Sequence, residues 1–129
     1  MKTLGEIVNL KEYPINNKDS KEYKELVEYN KKLLDKDGCC VLPNFVLEQS
    51  LKRMKEEIER NLIKTHWTKD SHNPYFSKDD ENLSQDHPKR IFSFRESGYI
   101  NSDDLEKDSD LNAIYESDEM LKFVSDSLG

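Results

Sequence analysis

Three histidines, His66, His72 and His87, share one stretch of the chain with Asp70 and Asp86. Imidazole and carboxylate are common metal ligands, and imidazole also moves protons near neutral pH. Their spacings of six and fifteen residues follow no zinc or iron ligand pattern, so surface or helix-end histidine is the favoured reading and no metal ligand is assigned. Cys39 and Cys40 are the only cysteines. A disulfide between neighbours strains the intervening trans peptide. Inside the apolar burst "CCVL" they are expected to be buried, inert thiols. The chain has no Gly-rich phosphate loop, no nucleophile elbow and no Cys–His pair, so no catalytic residue is assigned. What stands out is "HPKRIFSFRES", in which Arg90 and Arg95 flank an aromatic segment. A guanidinium is a rigid fork suited to a carboxylate, and on a strand beside a loop it could hold a small substrate. On these residues alone, a surface arginine paired with Asp86 or Glu96 is favoured.

Periodicity supplies the elements that would position them. Asp19 or Ser20 can cap a helix over about 20–36, and Gly38 gives it a left-handed stop. "CCVL" then reads as a strand ended by Pro43. Leu47, Leu51, Met54, Ile58 and Leu62 form one stripe of a helix over about 47–64. From Trp67 to Arg90 no period survives, and a loop that long in a compact domain is usually functional or mobile. Phe92 and Phe94 alternate in a strand from Ile91 to about Ser97, with Gly98 as a turn or bulge. Ser109 and Ser117 start two short C-terminal helices. The organisation expected is one domain, partial, over 1–129: a lead-in (1–18), a helix–strand–helix section (19–66), a long loop (67–90), and a strand with the C-terminal helices (91–129). Two strands make a marginal sheet. The chain therefore reads as the first half of a larger α+β unit.

Composition narrows the partners. A formal charge of -7, with 36% charged residues, argues against nucleic acid and anionic membranes, which would repel the average surface. No apolar run is long enough for a signal peptide or a membrane span. A soluble, cytoplasmic protein is expected. Leu, Ile, Val and Phe make up about a quarter of the residues, above the level at which disorder is the default.

Taken in order, "KDGCCVLPNFV", an amphipathic helix, "HNPYF", "DHPKR" and "LNAIYESDEMLKFVSDSLG" resemble the N-terminal region of Fe(II)/2-oxoglutarate-dependent oxygenases, the group of free-amino-acid (lysine-type) radical halogenases and related hydroxylases. The likeness covers about 20–129. It implies the helices and edge strands that buttress a double-stranded β-helix, or jelly roll, with the barrel core missing from this chain. It also implies Fe(II) and 2-oxoglutarate as cofactors of the complete enzyme, with none expected for this chain alone. No His-x-Asp or His-x-Gly with a distal His occurs here, and the basic residue for 2-oxoglutarate is absent. For an amino-acid-like substrate the positions matching the family are Arg90, with Arg95 second, and His72, Asn73 and Tyr75 in a lid-like loop. A partner chain supplying the barrel is one implied partner. The alternative is a small non-catalytic interaction domain whose amphipathic helices dock another protein.

Overall fold

The computed structural model describes residues 2–129, which adopt an α+β fold with four α-helices and one two-stranded antiparallel sheet. The chain divides into two compact units, Met1–Asn61 with Ser102–Gly129, and Leu62–Asn101. Among the described residues no helix is long and apolar enough to cross a membrane.

The first unit holds α1 (Lys21–Asp37), α2 (Glu48–Asn61), α3 (Asp110–Tyr115) and α4 (Asp118–Leu128). Helix α1 begins where Ser20 Oγ accepts from the Tyr23 amide at 3.1 Å. It ends at Gly38, whose φ of 71° is open to glycine at little cost. Its buried positions, Tyr23, Val27 and Asn30, fall one helical face apart. Helix α4 starts at Ser117, which caps the Met120 amide, and buries Phe123. Phe123 meets the edge of Tyr23 and lies nearly parallel to Phe45. The Tyr23 hydroxyl donates to Asp126 at 2.7 Å. Burial, then this hydrogen bond, pushes its phenol up to about 12.

The segment expected to be only a lead-in is central to this core. Ile7, Val8, Tyr13 and Ile15 are half of the eight buried hydrophobic residues. The remaining four are Tyr23, Val27, Met54 and Phe123, so all eight lie in the first unit.

The expected strand at "CCVL" is corrected. Residues 39–42 are irregular, Cys39 is exposed and Cys40 half-buried, so the thiols are not the buried pair anticipated. Extended pairing is displaced beyond Pro43. There Val8 bridges Val46, the Asn9 amide donates to Phe45 O, and the Leu47 amide donates to Ile7 O. Among the described residues its backbone ladder partner is the short run 7–9, which does not reach the preceding four residues to hold them extended.

Helix α2 is rotated relative to its apolar stripe. Leu51, Ile58 and Leu62 are exposed, while Ser50, Met54, Glu57 and Asn61 are buried. The reason is polar. Ser50 and Glu57 turn inward to hydrogen-bond Asp110 and Ser109, and a buried polar group left unpaired costs more than an exposed leucine.

The second unit is built on β1 (His66–His72) and β2 (Ser93–Tyr99), paired antiparallel with His66 opposite Tyr99 and His72 opposite Ser93. The start of the expected 67–90 loop is thus a strand. "HWTKDSH" carries only one large apolar residue, so its alternation is invisible until β2 supplies a partner. Likewise β2 begins at Ser93, two residues later than expected, and runs through Gly98. A Cβ on Gly98 would lie 2.8 Å from Thr65 Cγ2 and 3.0 Å from Trp67 Cζ3, so glycine there makes room for the indole. No hydrophobic residue of this unit is buried; its fully buried residue is Asn73.

Candidate functional site

Strand alternation sorts the hairpin into two unlike faces. One carries Trp67 and Phe94, both exposed, with the Lys69–Glu96 ion pair between them. The other carries His66, Thr68, Asp70 and His72 opposite Tyr99, Ser97, Arg95 and Ser93. On this polar face Arg95 Nη2 donates to Asp70 Oδ2 at 2.7 Å. That hydrogen bond is the main reason the Asp70 carboxyl titrates below the usual range. His72 Nδ1 lies 3.6 Å from Asp70 Oδ1, too far for a hydrogen bond, and among the described residues this buried nitrogen has no hydrogen-bond partner. The imidazole stacks on Phe76 with ring centroids 5.2 Å apart. Phe76 itself sits at a φ of 51°, a strained conformation for a bulky residue. His66 Nε2 lies 3.3 Å from Asn101 Nδ2.

The turn after β1 is organised by Asn73. Its Oδ1 accepts from the Tyr75 and Ser77 amides, both at 3.0 Å. Its Nδ2 donates to Ser77 and, at 2.7 Å, to Lys89 O. One side chain thereby fastens the start of the loop to its end. Tyr75 is exposed, with the Lys89 ammonium 5.7 Å from its ring centroid.

Arg90 completes this closure. Its Nε and Nη2 donate to Asp79 at 3.0 and 3.3 Å, and its Nη1 donates to Leu83 O at 3.0 Å. The partner is Asp79, not the Asp86 named as the alternative from sequence. With its side chain only 20% exposed, Arg90 has most of its donors committed within the loop, whereas Arg95 is 56% exposed and pairs with Asp70. The structure therefore brings His72 and Arg95 together around Asp70, puts Asn73 and Tyr75 in the adjoining turn, and sets Arg90 to the loop's own carboxylate. In chemical terms, Arg95 can receive a second carboxylate on its exposed edge while Asp70 fixes its orientation.

Sequence reasoning missed Asp70 as the hub, although Asp70-x-His72 at a period of two was a readable signal once β1 is a strand. A second polar cluster, in the first unit, was missed altogether. Asp110 is buried and accepts from Ser50 Oγ, from Arg53 Nε and Nη2, and from the Lys2 ammonium. Burial opposes its ionisation, but the hydrogen bonds from Arg53, Lys2 and Ser50 prevail and hold its carboxyl at about 2. Beside it, Glu57 accepts from Ser109 Oγ and the Glu106 amide. Nothing in the spacing of residues 2, 53 and 110 points to this cluster. It braces α2 against α3.

Among the described residues no group of three or more His, Cys, Asp or Glu side chains could hold a metal ion, and the Asp70–His72 pair faces a guanidinium that would repel one. No protein family, curated protein or solved structure matches this chain.

Proposed function

We propose that this chain is the N-terminal portion of an iron- and 2-oxoglutarate-dependent oxygenase, a hydroxylase or halogenase acting in the cytoplasm on a free amino acid or similar small molecule. Further polypeptide, continuous or from a partner chain, supplies the jelly-roll barrel. The observation that carries this reading is the second unit: a two-stranded sheet and a folded loop with no hydrophobic core of their own, exposing Trp67, Phe76, Ile91 and Phe94. Such a hairpin is marginal in water unless another layer covers it. The ordered set of sequence likenesses supports a jelly-roll barrel as that layer. When bound, iron with 2-oxoglutarate and oxygen would supply the hydrogen abstraction, held by residues of the proposed barrel and by none assigned in this chain.

This chain's own contribution is positioning. Arg95, oriented by Asp70, takes the substrate's carboxylate. His72 lies beside Asp70, Tyr75 sits in the adjoining turn, and the Asn73 and Arg90 clasps hold the loop in shape. Residues 62–101 contain six basic and six acidic side chains, so this unit is itself formally neutral.

The test is to produce the chain together with polypeptide carrying His-x-Asp or His-x-Gly and a distal His, sought in the reading frame past codon 129 and its neighbours. The assembly is expected to bind Fe(II) with 2-oxoglutarate, seen as a charge-transfer absorption, and to turn over an amino acid. Arg95→Ala should raise KM more than it lowers kcat. Failure to find any such segment, together with an isolated chain that binds no hydrophobic dye, would overturn the proposal. The exposed Leu121, Val124 and Leu128 on α4 favour the second reading, a non-catalytic docking module. That reading is distinguished by a protein partner that carries no barrel.

A further inference from the structure

Helix α1 stops at a glycine whose missing Cβ would touch nothing within 4 Å. Residues 39–42 follow without secondary structure, and the amides of Cys39, Cys40 and Val41 donate no hydrogen bond among the described residues. Past them the chain is fixed again: the Phe45 amide donates to Leu42 O, Tyr13 Oη donates to Pro43 O at 2.6 Å, and Asn44 holds a φ of 57°. Two cysteines therefore follow one another on a short irregular span anchored at both ends, Cys39 exposed and Cys40 half-buried. No other cysteine competes for either.

We propose that Cys39 and Cys40 form a chelating vicinal dithiol that takes a soft, thiophilic electrophile, of the monosubstituted trivalent arsenical class, between its two sulfurs. A direct S–S bond is the poorer outcome. Adjacent Cα atoms across a trans peptide lie about 3.8 Å apart, short of the roughly 4.4–6.8 Å that a relaxed disulfide spans. A bridging atom removes that conflict. With bonds to sulfur near the ~2.3 Å typical of metal thiolates, it lets the two sulfurs sit well beyond S–S bonding distance, and residues 39–41, whose amides make no hydrogen bond among the described residues, can adjust so that both side chains turn to one side. In the reaction an arsine oxide forms two As–S bonds, its As–O bond breaks, and the two thiol protons leave with that oxygen as water. Arsenic stays trivalent and nothing is oxidised.

Phenylarsine oxide is the probe, added at one equivalent to the full chain in excess 2-mercaptoethanol, which strips singly bonded adducts. The expected result is loss of both titratable thiols, a mass gain of one arsenical less one water, and an unchanged far-ultraviolet circular dichroism spectrum. Cys39→Ser and Cys40→Ser should each weaken retention on the order of a hundredfold or more, because the second bond is intramolecular only when both thiols are present. Retention by either single variant equal to the parent would overturn the proposal. So would an adduct that forms only after denaturant is added.

Discussion

At the residue scale, the most consequential side chain is Asp110, a buried carboxylate facing Arg53, Lys2 and Ser50. Removing one partner of a buried pair leaves the others uncompensated, which typically costs 3–5 kcal/mol. Asp110→Asn is therefore expected to destabilise the first unit by about 3 kcal/mol in urea melts monitored at α1. The pH dependence follows from linkage. An unfolded aspartate titrates near 3.9, and Asp110 in the folded chain at about 2. Its folded value is depressed, so its stabilisation is complete above the unfolded value and fades as pH falls from about 4 towards 2. The stability gap between parent and Asp110→Asn should narrow over that interval and be constant near neutrality. A gap independent of pH down to 2 would mean that the ion cluster does not stabilise the fold.

At the element scale, the hairpin depends on a close approach and not on a core. Gly98 faces Trp67 across the strands, and a Cβ would press on Thr65 and the indole. Gly98→Val is expected to cost roughly 1–3 kcal/mol, as overpacked sites do. Because no buried hydrophobic residue of the first unit belongs to the hairpin, the loss should stay local. Amide chemical shifts of 66–72 and 93–99 should collapse towards random-coil values while those of α1 and α4 persist. Simultaneous loss of both sets would show that the two units fold as one. The same logic explains why α1, α3 and α4 were readable in advance. Ser20, Ser109 and Ser117 are caps and Gly38 is a stop, and such signals act within one turn of chain. β1 carries no comparable local signal; its partner lies more than twenty residues away.

At the scale of the whole molecule, the buried hydrophobic residues are confined to one of two units. Opening free energies follow buried contacts, so amides in 62–101 should exchange far faster than those of α1 and α4 in native-state hydrogen exchange. Equal protection throughout would contradict a coreless second unit. Adding the polypeptide proposed to cover it should slow that exchange selectively. The sequence by itself determined the helix ends, the α+β class and the shortage of strands, because capping, periodicity and composition are properties of neighbouring residues. Its residue types drew attention to Arg90 and Arg95, and the family resemblance to His72, Asn73 and Tyr75. Only the tertiary structure decided that the first fifteen residues supply half of the core and that α2 turns its leucines outward to pair Ser50 and Glu57. It alone revealed that Cys39 is exposed and Cys40 only half-buried, and that Arg90 closes a loop while Arg95 keeps an open edge. Each of these depends on a partner remote along the chain, and no local pattern of residue types encodes which distant group will be there.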